Sequence, residues 1–344
     1  MATQVKDAAW MEWISGLLGG SSRRMGTAAL PPEHYSCSLD ELPVHLIPHG
    51  SWGTLRRDFQ RPLYLNTDCL IWPAGQLPDE MVARPDLVAN FALQGTLAWV
   101  RDSATDSLLP FWLGPRLESA LRNLRPGDDA SGHLSQEDCR ILLASGILHQ
   151  GNSQPPGKSA ESREELRRNY REKKYATFPS LIHPFHVAAL RRYYRCLIRK
   201  GLIQHPDPQC PQRLVAHNEP VARFFHNQLT NIVSAVAGEP VKPSYVYLAS
   251  YQPGAELKKH TDREQCEFSI SFCLDFSPEP GRETPWPLCL DTPQGKIKIH
   301  QALGDGLFYR GTRVPHYRDV LPEGMTSTSI FFHYVSASFT GPLD

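Results

Sequence analysis

No run of about 18 apolar residues occurs anywhere in the 344-residue chain, so a transmembrane helix is not expected. Its opening stretch, Met1 to Gly19, sets Lys6, Asp7 and Glu12 among Trp10, Trp13 and Ile14, without the basic-then-apolar layout of a secretory signal. A cytoplasmic protein is the expectation. The eight cysteines are scattered singly and none forms a CxxC, which argues against both a zinc cage and a disulfide framework. There is no HExxH and no GxSxG, so a zinc protease or an α/β-hydrolase has no support. Gly151…Gly157-Lys158-Ser159 imitates a phosphate loop, but five residues separate the glycines, two of them prolines, and no apolar strand precedes them. Gly304-Asp305-Gly306 with Gly311 likewise lacks the spacing of a dinucleotide fingerprint. Nor is there an excess of one charge: 36 Lys+Arg face 36 Asp+Glu. A surface committed to nucleic acid or anionic lipid is therefore not expected.

What is present fits a globular protein of one large or two modest domains, with 41% hydrophobic and 21% charged residues. The charge is unevenly laid out. Residues 1–157 carry a net −5, residues 158–200 a net +8 and residues 201–344 a net −3. Within the basic block, Glu161–Lys174 reads as a solvated helix of Glu/Arg pairs, with an electropositive funnel for an acidic ligand as the competing reading. Organisation divides at Gly151–Lys158, a Gly/Pro/Ser/Asn linker. The segmentation expected is an accessory region over 1–150, a basic linker and helix over 151–180, and a principal domain over 181–344. Before the linker, Pro115–Leu124 and the capped stretch from Ser135 to Gly146 read as helices within a mixed α+β region. After it, Pro184–Leu202 and Glu219–Ala237 read as helices. From Ser244 the period becomes two. Strands are expected at Tyr245–Tyr251, Phe268–Phe276, Leu288–Leu290, Lys296–Gln301, Gly306–Tyr309, His316–Leu321 and Ser327–Val335. The class is α+β, with a C-terminal β-sandwich or open barrel and helices packed outside it.

The chemistry is concentrated in Gln252-Pro253-Gly254-Ala255-Glu256-Leu257-Lys258-Lys259-His260-Thr261-Asp262. In extended backbone positions i and i+2 share a face, so His260 and Asp262 can converge on one metal. A histidine from a later strand would complete the facial triad of non-haem Fe(II) oxygenases. A second segment runs Gly304-Asp305-Gly306-Leu307-Phe308-Tyr309 and then, past a loop, Pro315-His316, which lies 56 residues beyond His260. Together these segments resemble the Fe(II)/2-oxoglutarate-dependent oxygenases, in particular the prolyl-4-hydroxylase-like branch, over roughly Ser244 to Val335. The resemblance implies a double-stranded β-helix, or jelly roll, with iron held by His260, Asp262 and His316. His300 and His333 compete with His316 for the third place.

The family also uses a basic residue about ten positions past the third ligand for the distal carboxylate of 2-oxoglutarate. Here that position is Thr326, a departure from the pattern. Arg318 is the best substitute, on the same strand face as His316, followed by Arg310 and Arg313, with Thr326 or Thr328 adding a hydroxyl. A planar guanidinium grips a carboxylate through two parallel hydrogen bonds. Tyr245, Tyr247 and Tyr251 alternate before the motif, and the resemblance lets one of them, such as Tyr247, reach 2-oxoglutarate. It further implies O2 as co-substrate, ascorbate as an accessory reductant, and hydroxylation of an amino acid, a peptide or a small metabolite with release of succinate and CO2. Retention of the Asp262 carboxylate favours hydroxylation over halogenation, while desaturation and ring closure would use the same iron. Two other readings stand beside it: a jelly-roll binding protein with a decayed site, and a cupin-like metalloenzyme that does not use 2-oxoglutarate.

Overall fold

The period-two stretch after Ser244 folds into strands that pair into two antiparallel sheets, and the helices before it cover the outer face of one of them. The computed structural model describes residues 34–344 other than 56–58, 61, 133, 152–159, 204 and 208. Met1 to Gly19 and nearly all of the Gly151–Lys158 linker lie outside the described residues. Five strands belong to the N-terminal region: β1 (Leu63–Leu65), β2 (Cys69–Trp72), β3 (Thr96–Asp102), β4 (Ser107–Leu113) and β5 (Leu148–Gln150). The next four are β6 (Tyr175–Phe178), β7 (His205–Asp207), β8 (Cys210–His217) and β9 (Val241–Tyr251). Then come β10 (Leu257–His260), β11 (Phe268–Ser277), β12 (Leu288–Thr292), β13 (Gly295–Ile299), β14 (Gly306–Tyr309), β15 (His316–Arg318) and β16 (Thr326–Ser336). A seven-stranded sheet has the order β6-β14-β11-β16-β9-β8-β7, and a four-stranded sheet the order β10-β15-β12-β13. Strands β2-β3-β4 and β1-β5 make two small sheets of their own.

Alternation on the central strands sets the two faces of the large sheet. Ile330, Phe332 and Tyr334 of β16, Val246 and Leu248 of β9, and Ile270 and Phe272 of β11 point outward into an apolar core. The helices Pro184–Arg199, Pro220–Gln228 and Thr230–Ala237 pack there through Leu190, Phe224, Phe225, Val233 and Val236. The opposite face, with Ala249, Tyr251, Cys273 and Phe331, turns inward. Leu307 and Tyr309 of β14 meet Leu288 and Leu290 of β12, joining the two sheets across the interior.

All five expected helices form, the Glu161–Lys174 stretch as Ala160–Lys173, with one difference. Glu219–Ala237 is two helices that meet at Leu229. Thr230 Oγ1 donates to the Asn227 carbonyl and Ser107 Oγ to the Gln228 carbonyl, and these side-chain bonds interrupt the backbone ladder. Ser135 caps the Gln136–Ala144 helix by accepting from the Asp138 amide, as its spacing predicts.

The N-terminal region shares the outer core. Tyr35 packs edge-on against Trp112 and Phe225, and Phe91 edge-on against Phe224, with Phe91 tilted against Tyr35 and Trp112. The fully buried Arg191 ties three parts together, donating to the Leu46 carbonyl at 2.6 Å and pairing with Asp275 and Glu279. Its neighbour Arg195 also pairs with Asp275, and Arg192 donates to the Ser36 and Glu41 carbonyls. Several cations of the basic block are therefore spent on joining elements rather than on an open positive funnel. All eight cysteines are free thiols. Among the described residues no helix is long and apolar enough to cross a membrane.

Candidate metal centre

Gln252-Pro253-Gly254-Ala255 closes a tight turn between β9 and β10, with the Ala255 amide donating to the Gln252 carbonyl at 3.0 Å. Pro253 presets the first corner, and Gly254 takes φ +81° at the second, a conformation that costs glycine nothing. The turn delivers β10 beside β15 in a register that sets His260 directly opposite His316. The two imidazoles lie 4.4 Å apart between ring centres. Asp262 follows the strand and is fixed by its amide, which donates to the Gly311 carbonyl at 2.9 Å.

The three side chains converge on one point. Asp262 Oδ1 is 3.5 Å from His260 Nε2 and 3.4 Å from His316 Nε2. Each imidazole is oriented from behind: His260 Nδ1 bonds the Lys258 carbonyl at 2.8 Å and His316 Nδ1 bonds the Val314 carbonyl at 3.0 Å. A carbonyl only accepts, so both Nδ1 atoms carry a proton, and each Nε2 is turned to the carboxylate. While protonated, Nε2 donates to Asp262; once that proton leaves, it is the atom a metal takes. Burial alone would raise the Asp262 carboxyl, but hydrogen bonds to His260 and His316 hold it well below the usual carboxylate range. The bond to Asp262 in turn raises His260. One carboxylate and two imidazoles gathered on one face suit a divalent first-row cation such as Fe(II). His316 is buried, while His260 remains about a third exposed, so the group has a closed side and an open one.

The other candidates separate by position. Arg318 lies two residues beyond His316 on β15, 3% exposed, with its guanidinium 4.6 Å above the Trp286 ring. Its Nη1 donates to the Trp286 carbonyl at 2.8 Å. Among the described residues its buried Nε has no hydrogen-bond partner, and the same holds for Ser329 Oγ on inward-facing β16. A buried guanidinium with an unused donor calls for an acceptor. The dicarboxylate 2-oxoglutarate meets that need, so these residues fit it.

Thr326 does not reach this interior. It shares the outward face of β16 with Thr328, whose hydroxyl bonds Ser250, because side chains two apart point the same way. Arg310 is likewise drawn away into an ion pair with Glu267, over the Phe268 ring. Arg313 is exposed. The Tyr247 hydroxyl donates to Asp207 at 2.6 Å, beneath the Arg213 guanidinium, so it is already committed. His300 sits at the surface against the Thr284 carbonyl. His333 is buried one step behind Asp262 and belongs to a second group with Asp262 and Cys266.

One feature escapes a reading of the sequence. Arg213 on β8 is buried, paired with Asp207, and donates to the Tyr251 hydroxyl at 3.0 Å. Tyr251 packs edge-on against Trp286, which carries Arg318, so two arginines are linked through a pair of rings. Pro211 and Gln212 break the apolar alternation of that strand, and no local signal marks Arg213.

No protein-family model matches the sequence, and no curated protein matches it. Solved structures share part of its shape. The non-haem α-ketoglutarate-dependent epimerase SnoN of nogalamycin biosynthesis aligns at 12% identity and a TM-score of 0.43, over 52% of this chain and 82% of its own. A Pseudomonas putida prolyl-4-hydroxylase aligns at 15% and 0.43, over 51% and 100%. HygX from Streptomyces hygroscopicus, with nickel and 2-oxoglutarate bound, aligns at 12% and 0.42, over 51% and 88%.

Proposed function

We propose that the chain is a non-haem Fe(II)- and 2-oxoglutarate-dependent oxygenase. The observation that carries this is the convergence of His260, Asp262 and His316, with the buried Arg318 two residues along the same strand. More narrowly, the proposed reaction is hydroxylation of a C–H bond in an amino acid, a peptide or a small metabolite. When bound, the metal would supply activation of O2 coupled to conversion of 2-oxoglutarate to succinate and CO2.

The protein's own residues have definable tasks. His260 Nε2, Asp262 Oδ1 and His316 Nε2 would hold the ion on one face and leave the remaining positions to 2-oxoglutarate and O2. The carbonyls of Lys258 and Val314 keep each imidazole in the ligating tautomer. Arg318, stacked on Trp286, would take the distal carboxylate of 2-oxoglutarate through two parallel bonds. Leu288, Leu290, Leu307, Tyr309 and Val314 form an apolar wall that keeps water out between the sheets. The partly exposed side of His260 is the face by which substrate would enter. Arg318 also speaks against a decayed site, since it provides a buried cation that Thr326 does not.

Anaerobic titration of the Fe(II)-loaded protein with 2-oxoglutarate tests the chelate. A visible charge-transfer absorption is expected, and its absence together with undetectable 2-oxoglutarate binding would favour the cupin-like alternative.

A further inference from the structure

His333 is set apart from the facing pair His260 and His316, yet it lies where it can act on the carboxylate they share. It lies on β16, is 6% exposed, and packs against the rings of Tyr245 and Phe331. Its carbonyl is held by His226 Nε2 at 2.7 Å and by Ser244 Oγ at 2.8 Å. Its Nδ1 lies 2.9 Å from Ser269 Oγ on β11, the strand paired with β16 in a register that sets Ser269 opposite His333. Ser269 Oγ in turn lies 3.3 Å from Asp262 Oδ2. This is the carboxylate oxygen turned away from the two imidazoles, because Oδ1 faces both of them.

The direction of these bonds follows from the donors available. Ser269 has one proton and three atoms that could accept it: Asp262 Oδ2 and the Cys266 carbonyl, both at 3.3 Å, and His333 Nδ1 at 2.9 Å. The charged acceptor is the stronger, so the proton goes to Asp262. Ser269 Oγ must then accept from His333, which fixes the His333 proton on Nδ1. Space confirms how closely the group is built. A Cβ at Gly311 would overlap Asp262 Oδ2 and lie 2.6 Å from the Cys266 carbonyl and 2.8 Å from Ser269 Oγ. The carboxylate therefore has little room in which to turn.

We infer that Ser269 and His333 form a positioning relay, Nδ1–H to Oγ–H to Oδ2, that ties down the rear oxygen of Asp262 and presents Oδ1 alone to the metal. Neither residue touches the ion. Their effect is to make the carboxylate a one-oxygen ligand, so that its second oxygen does not occupy a coordination position needed by 2-oxoglutarate or O2. The inference rests on the metal-centre reading above.

The test uses Co(II) alone as the probe, with affinity and the visible d–d spectrum of the bound ion as readouts. Loss of an outer partner of a ligand ordinarily weakens metal binding about 10- to 100-fold. Ser269→Ala and His333→Leu are expected to bind Co(II) at least about 10-fold more weakly and to shift the d–d bands. His333→Asn, whose side-chain amide can replace the Nδ1 donor, should return affinity to within about threefold of the parent. A merely structural role for His333 would not distinguish Asn from Leu at equal thermal stability. Parental Co(II) affinity and spectrum in Ser269→Ala would overturn the relay. His260→Ala separates the two ideas: parental binding there removes the metal-centre reading itself, whereas lost binding there beside unchanged binding in Ser269→Ala removes only the relay.

Discussion

Replacing Arg318 asks whether the buried guanidinium is what holds the distal carboxylate of 2-oxoglutarate. Arg318 is fixed by the Trp286 carbonyl through Nη1 and by the Trp286 ring, and its Nε is unused. A buried hydrogen bond to a charged group contributes about 1.5–3 kcal/mol. At about 1.4 kcal/mol per tenfold, Arg318→Ala should weaken 2-oxoglutarate binding by about 10- to 150-fold. Arg318→Lys keeps the charge but loses the planar fork and the stack, and about a tenfold loss is expected. The assay is calorimetric titration of 2-oxoglutarate into protein loaded with Mn(II), below the melting temperature of each variant. Melting is measured alongside, because removing Arg318 strands the Trp286 carbonyl at a cost of about 1–3 kcal/mol. Thr326→Val and Arg310→Met serve as controls and should bind within about twofold of the parent, since one faces outward and the other is paired with Glu267. Binding within twofold for Arg318→Ala, with metal affinity intact, would refute the assignment.

Three further outcomes follow from the packing. Gly311→Ala places a methyl against Asp262 Oδ2 and should lower Co(II) affinity at least about tenfold, read by the same titration. Arg191→Met removes one partner from a buried group of two carboxylates and a carbonyl, and urea unfolding should show a loss of about 3–5 kcal/mol. His226 is fully buried, and burial lowers its pKa to about 3 while it bonds the His333 carbonyl. An unfolded imidazole near 6.5 binds a proton that the folded one refuses, so this stability is complete above about pH 6.5 and is lost as the pH falls toward 3. Between pH 7.5 and 5 the loss from this one group is about 2 kcal/mol, and His226→Gln should unfold with a correspondingly flatter pH dependence.

The candidate metal ligands were legible because their chemistry is local. His260 and Asp262 are separated by one residue in extended chain, and the Pro253-Gly254 turn that delivers them is written in the sequence. His316 needed pairing information, and the resemblance of its Gly-Asp and Pro-His segments supplied it before the β10–β15 register did. Arg318 ranks first from its shared face with His316, but that Thr326 points outward follows only from the strand faces, since a one-residue change of phase exchanges inside for outside. The relay through Ser269 and His333 joins two strands 64 positions apart and leaves no periodic trace. Arg213 was hidden for the same reason. Likewise, the split at Leu229 depends on Ser107, far away in sequence, reaching the Gln228 carbonyl. Propensity and pattern describe a residue's neighbours along the chain, and these features depend on neighbours across it.

An iron held by His260, Asp262 and His316 would consume 2-oxoglutarate even without the second substrate. Succinate formation from 2-oxoglutarate by the purified protein under air, with and without Fe(II), therefore tests the proposed centre directly. Slow succinate formation that requires Fe(II) and disappears in both His260→Ala and Asp262→Ala is the expected result. Succinate formation unchanged in either variant would show that these residues do not hold the iron.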